Sequence, residues 1–267
     1  MTAPTPKTLE EHRDYLYDIV KLQLFFLHHW LTEHPDESVV EVLRNRIDIY
    51  RKSNSNPGAL NPATCCWDSP EWQALENAII HVYDENRSDA SAFEQAAFAV
   101  IQPSLDARCE RDYLDHSALV SYQCGCLRHN LEVGSKLNDL GFHIANSLAP
   151  DSFFSHPDYL VACFRKLLDV AEKQFGATHI STGTWLNSVP KWLAYFPEEW
   201  LQNRSPAHTD IKWHYGFWGQ FISARGTFNH RYGQILRQTG KLPFYPRSSY
   251  CRISAMREKL DTLEKES

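Results

Sequence analysis

Residues 124–187 decide the fold: CGCLRHNLEVGSKLNDLGFHIANSLAPDSFFSHPDYLVACFRKLLDVAEKQFGATHISTGTWLN. Cys124–Val133 and Leu140–Asn146 read as two strands separated by the turn-like GSKLND. A helix follows, with Ser155 as its cap, Pro157 and Asp158 in its first turn, and Gly176 as its stop. Thr178–Asn187 then reads as a third strand. Next, SVPKWLAYFPEEWLQN is predicted to be a short helix with Pro197 inside or just beyond it.

Upstream the texture is different. Ten of the eleven glycines lie at or after Gly125, and residues 8–110 read as helical. Thr8 with Glu11 is a capping-box signature. Leu16, Ile19, Val20, Leu24, Leu27, Trp30 and Leu31 then recur at three-to-four spacing, the pattern of an amphipathic helix. ESVVEVLRNRIDIYRK predicts a second helix, Ser69-Pro70 opens a third, and a fourth from Ala90 is expected to stop at Pro103. The fold class expected is α+β, with a helical N-terminal region over 1–118 and a mixed-sheet region over 119–267.

Downstream, KWHYGFWGQFISARGTFNHRYGQILRQTG (Lys212–Gly240) concentrates rings, glycines and positive charge. Trp213–Phe221 reads as a strand, which puts Trp213, Tyr215 and Phe217 on one face and His214, Gly216, Trp218 and Gln220 on the other. Gly216 would leave a notch between His214 and Trp218. A helix capped by Thr227 and stopped by Gly240 follows. Arg225 and Arg231 near its start would suit a phosphate or carboxylate at the helix N-terminus. The last segment, from Ser248, reads as a charged helix.

Charge divides the chain the same way. Residues 1–200 carry 16 Lys+Arg against 28 Asp+Glu, whereas 201–267 carry 11 against 5, within a net charge of −6. A local positive region in an acidic protein suits an anionic small ligand and argues against general nucleic-acid binding. The N-terminus lacks an apolar signal core, and the longest apolar run, LQLFFL, is too short to span a bilayer. Seven cysteines without a framework spacing fit reduced thiols in a cytoplasmic protein.

The candidate site drawn from these patterns has His143 or His214 as catalytic general base. Trp185 and Trp218 shape the pocket, Asn187, Gln220 and Asn229 contact substrate, and Arg225 with Arg231 holds the anionic part of a cofactor. Asn187 and Ser188 can alternatively cap the helix at Pro190. The cysteines lack C-x2-C pairs, so no metal is expected. G-x-S-x-G, P-loop and G-x-G-x-x-G motifs do not occur.

The run Phe142–Leu193, with H-I followed by L-x-P, a helix ending in F-G, and a strand carrying W-L before a proline, resembles acyltransferases that join a helical N-terminal region to a GNAT-like domain. The resemblance covers about residues 140–195. It implies a mixed sheet, an acyl-CoA or acyl-carrier thioester donor, and acyl transfer to an amine or hydroxyl of a small-molecule substrate. The Q/R-x-x-G-x-G/A loop of such proteins has no counterpart in SARGTFNHR. Three other readings stay open. One is an iron-dependent oxygenase or lyase using His208, Asp210, His214 or His230. Another is a cofactor-free isomerase or cyclase, and the third is a non-enzymatic protein that binds anions or nucleic acid.

Overall fold

The computed structural model describes residues 6–58, 61–115 and 122–266. Its principal helices are α1 (Leu9–Glu33), α2 (Pro70–Glu85), α3 (Ala90–Leu114), α4 (Pro157–Phe175), α5 (His230–Thr239) and α6 (Ile253–Glu266). The strands are β1 (Leu127–Gly134), β2 (Asp139–Ile144), β3 (His179–Thr184) and β4 (Arg247–Arg252). The architecture is α+β. The chain divides into two units: Lys7–Asp115 with Asp210–Pro243 makes a helical unit, and residues 122–209 with 244–266 make a sheet unit. The boundary expected at 118/119 lies outside the described residues. The segment Asp210–Pro243, placed with the sheet from sequence, belongs to the helical unit.

In the helical unit, Thr8 and Glu11 form the expected capping box at the start of α1. Leu16, Ile19, Val20, Leu24, Leu27 and Leu31 are buried along one stripe, and α1 packs on α3, which also carries α2. Pro103 does not stop α3. Proline removes one helical hydrogen bond, to the carbonyl four residues back. Both Pro103 and Ala99 face solvent, so water can satisfy that carbonyl while Ile101 and Leu105 continue the buried face.

The second predicted helix is broken. Val42–Arg46 winds as a π-turn, with Ile47 N–H donating to Val42 C=O at 3.3 Å. Its loosened carbonyls receive the returning segment: Trp213 Nε1 donates to Arg44 C=O and Trp218 Nε1 to Arg46 C=O, each at 2.8 Å. That docking overturns the strand reading of Trp213–Phe221. The stretch is two 3-10 turns, Trp213–Tyr215 and Phe217–Phe221, pivoting on Gly216 at φ 74°. Trp213, Phe217, Trp218 and Phe221 enter the core, whereas Tyr215 is exposed. Their spacing is that of one helical face and not an alternation. Asn229, not Thr227, caps α5, and Gly240 ends it in the left-handed conformation as expected.

The sheet order is β1-β2-β3-β4. β1–β2 is an antiparallel hairpin, β2–β3 is parallel with α4 as the crossover, and β3–β4 is antiparallel. Leu140 pairs with Ile180 and Ile180 with Cys251, so one face presents a continuous apolar row. Leu160, Phe164, Leu167, Leu168 and Ala171 of α4 cover it, together with Ile253, Met256 and Leu260 of α6. Gly176 closes α4 with a positive φ of 60°. Strand β4 was not expected. Its alternation (Ser249 and Cys251 buried, Ser248 and Arg252 exposed) is short and mostly polar, so sequence reads it as the start of the helix.

Candidate active site

The nine expected site residues fall in different units. In the sheet unit, His143 stands on the exposed side of β2 with Nε2 3.0 Å from Asn130 Oδ1. Partial desolvation and the Arg128 guanidinium on β1 lower its proton affinity. Trp185 is half-buried and stacks on Phe244 at 6.0 Å. Asn187 neither caps a helix nor faces a strand surface. β3 ends at Thr184 and a 3-10 turn rotates Asn187 into the core, where Nδ2 donates to Thr182 C=O at 3.0 Å and Arg247 C=O at 2.8 Å. Its Oδ1 accepts from the Trp192 and Trp200 indoles.

In the helical unit, Trp218 and Gln220 are also core groups, with Gln220 Nε2 donating to Phe217 C=O at 2.9 Å. Asn229 Oδ1 accepts from Tyr232 N–H. His214 is exposed, and its proton affinity is lowered by partial desolvation and by Lys212 and Arg51. Arg225 gives Nη2 to Glu11 at 2.8 Å, and Arg231 is exposed. Among the H-x-D residues, His208 meets Ser248 Oγ at 3.3 Å. Asp210 is paired with Arg46 and Lys212. Among the described residues, no three His, Cys, Asp or Glu side chains converge as a metal site.

A different constellation lies at the start of α1. His12 is buried, and both ring nitrogens are held: Nδ1 is 2.8 Å from Lys7 Nζ, and Nε2 is 3.0 Å from Asp112 Oδ2. The donors fix the tautomer. An ammonium only donates and a carboxylate only accepts, so Nδ1 accepts from Lys7 while Nε2–H donates to Asp112. The three side chains thus form a carboxylate–imidazole–amine line, with Asp112 orienting the ring. That is the logic of a base held by a third group.

The surroundings set the charge balance of Lys7 and Asp112. Burial lowers the proton affinity of Lys7, partly opposed by Asp112. Burial alone would raise Asp112, but the His12 hydrogen bond and the charges of Lys52 and Arg108 outweigh it and hold the carboxyl at about 2. Arg108 also ties the cluster to the backbone, donating to Ser53 and Asn56 carbonyls at 3.2 and 3.1 Å. Lys7 and Lys52 lie over the Tyr15 ring, and Tyr113 Oη donates to Lys7 C=O. Lys7 Nζ also reaches Gly226 C=O at 3.3 Å. A Cβ at position 226 would sit 3.3 Å from Lys7 Cδ, and Gly226 has φ 87°, so glycine is what lets this turn lie against the lysine. Glu11 Oε2 accepts from both Thr8 N–H and Arg225, which ties the same turn to the helix cap.

Sequence reasoning missed this relay. Its one legible signal was a histidine on the apolar stripe of α1, in register with Leu16 and Ile19. Asp112 lies 100 residues away in the chain, and no local pattern joins it to His12.

The sheet unit holds a separate cavity of about 300 Å³ lined by Pro157, Asp158, Val161, Lys191, Tyr195 and Glu264, among others. It shares no residue with the relay or with the nine expected residues. No protein-family model, curated protein or solved structure matches the chain.

Proposed function

We propose that the protein is a small-molecule enzyme whose general base is the Lys7–His12–Asp112 relay. The reaction we assign is transfer of an acyl group from a thioester donor to an amine or hydroxyl, the relay taking the acceptor's proton. One observation carries the reading: a buried imidazole clamped on both nitrogens, by an amine at 2.8 Å and a carboxylate at 3.0 Å. Any buried histidine needs both ring nitrogens satisfied; what points to chemistry here is the identity of the partners, because a carboxylate–imidazole–amine line is one along which a proton can pass. Lys7, Arg51, Lys52 and Arg108 outnumber Asp48 and Asp112 around it, which suits a partly anionic substrate and the negative charge that develops on an acyl oxygen. The choice of thioester rests on the resemblance of residues 140–195. A cofactor-free isomerase or cyclase is the second reading, favoured by a pair that can both take and return one proton. Among the described residues, no helix is long and apolar enough to cross a membrane, and the seven cysteines are free thiols. We propose a cytoplasmic location, which seven cysteines without a framework spacing suit.

The test incubates the protein with acetyl-coenzyme A and a set of primary amines and alcohols and reads acylated product by mass. His12→Asn and Lys7→Met are each expected to lower turnover on the order of 10²–10⁴-fold, the usual worth of a positioned base. Unchanged turnover in both variants refutes the relay. Absence of both donor consumption and thermal protection by acyl thioesters in the wild type refutes the acyl-transfer assignment.

A further inference from the structure

Strand β1 is preceded by a tight turn, Cys124–Leu127, closed by Cys124 N–H to Leu127 C=O at 2.9 Å and Leu127 N–H to Cys124 C=O at 3.2 Å. Gly125 sits at its tip with φ 68°. A Cβ there would run into Cys163 Sγ and come within 2.8 Å of the Tyr159 hydroxyl, so glycine brings the turn down onto α4. The Cys126 backbone N–H points at Cys163 Sγ from 3.5 Å, and the Tyr159 hydroxyl crowds the same glycine as that sulfur does. Ser147 Oγ lies 2.8 Å from Tyr159 Oη, which lets serine donate to tyrosine and tyrosine to sulfur. Buried cysteines are commonly inert small hydrophobes. A backbone donor of one cysteine aimed at the sulfur of another, beside a tyrosine hydroxyl, is not what inert packing requires.

We propose that Cys163 and Cys126 form a reactive dithiol site that a small hydroperoxide oxidises to a disulfide. Cys163 is the attacking sulfur, because the Cys126 backbone N–H is aimed at it and the Tyr159 hydroxyl lies close by; Cys126 and Tyr159 pull its pKa well below that of an ordinary thiol, whereas the neighbouring Cys163 and burial push Cys126 up. The thiolate attacks the terminal oxygen of the peroxide. The S–O bond forms, the O–O bond breaks, and the leaving alkoxide or hydroxide takes a proton, leaving a sulfenic acid. Cys126 sulfur then attacks Cys163 sulfur; the S–S bond forms, the S–O bond breaks, and the departing hydroxide carries off the Cys126 proton as water. Two thiols and one hydroperoxide give one disulfide, one alcohol (water for hydrogen peroxide) and one water. With Cys163 only 4% exposed, the oxidant has to be small and uncharged. This inference does not depend on the acyl-transfer reading.

The experiment treats the full chain with hydrogen peroxide, blocks remaining thiols, and maps peptides without reduction. The expected product has lost two hydrogens, links the Cys126 and Cys163 peptides, and reverts with dithiothreitol, while the exposed Cys66 is still a thiol. In Cys126→Ser, Cys163 is expected to stop at a sulfenic acid that dimedone captures. Tyr159→Phe keeps both thiols and removes one donor; it is expected to slow the linkage by roughly threefold to tenfold. Oxidation of Cys66 ahead of Cys163, or conversion of wild-type Cys163 to sulfinic acid without the cross-link, overturns the proposal. So does linkage in Tyr159→Phe at the wild-type rate.

Discussion

Replacing Asn187 by alanine tests how the sheet unit is held together. Its amide offers two N–H donors and two acceptor lone pairs, and all four are used. Nδ2 donates to the carbonyls of Thr182 and Arg247, at 3.0 and 2.8 Å. Oδ1 accepts from Trp192 and Trp200, at 3.1 and 3.3 Å. The side chain is fully buried, so water does not compete for these sites. At about 1 kcal/mol net for each bond, Asn187→Ala is expected to cost about 4 kcal/mol. Small domains have roughly 5–15 kcal/mol in all, so this is a large fraction of the total. Asn187→Asp separates the two halves of the network. It keeps an acceptor for the indoles but turns an oxygen toward two carbonyl oxygens, and it is expected to be at least as damaging as alanine. Urea unfolding followed by tryptophan fluorescence reads both variants. With a slope near 2 kcal/mol per molar, the alanine midpoint falls by about 2 M. An alanine variant within about 1 kcal/mol of wild type would refute the reasoning, because four satisfied buried bonds should not be that cheap to remove.

Two further outcomes follow from the helical unit. Asp112 has its carboxyl held at about 2, below the ordinary value near 3.9, so the stability it confers is full above about pH 4 and is lost as pH falls through its folded value. Its side chain is 34% exposed, which reduces the contribution to about 1–2 kcal/mol. Asp112→Asn should therefore flatten the wild-type loss of urea midpoint between pH 4 and pH 2, and an unchanged slope would show that the carboxylate is not held as described. Pro103→Ala restores a helical hydrogen bond on the exposed face of α3 and should raise stability by about 1–3 kcal/mol in thermal unfolding. A decrease would mean that α3 needs the proline.

The helical spans were largely legible because helix signals are local. The α1 capping box, the Ser69 start of α2, the Gly176 stop of α4 and the Gly240 stop of α5 each depend on a few neighbouring residues, and each is present. The β1–β2 hairpin and β3 were legible through alternation and the glycine and asparagine of the intervening turns. Misreadings occurred where a distant partner decided the conformation. Trp213–Phe221 has the composition of a strand, but indole donors to Arg44 and Arg46 carbonyls wind it into 3-10 turns. Arg247–Arg252 extends because all six residues pair in register with β3, and an isolated reading of RSSYCR could not supply that ladder. The Lys7–His12–Asp112 line escaped a local reading for the same reason. His143 and His214 stood out in their local patterns, whereas His12 depends on Lys7 and on a carboxylate far along the chain.

By itself the sequence determined an α+β protein: where most helices begin and end, which strands flank α4, and that positive charge gathers after residue 200. Those features follow from backbone sterics, caps and apolar periodicity, which act over a few residues. Tertiary structure alone decided that Asp210–Pro243 joins the helical unit, that Asn187 is a core clasp, and that Lys7, His12 and Asp112 meet in one hydrogen-bonded line. Hydrogen bonds to buried groups depend on geometry across long separations, and chain order does not encode which distant donor will meet which acceptor.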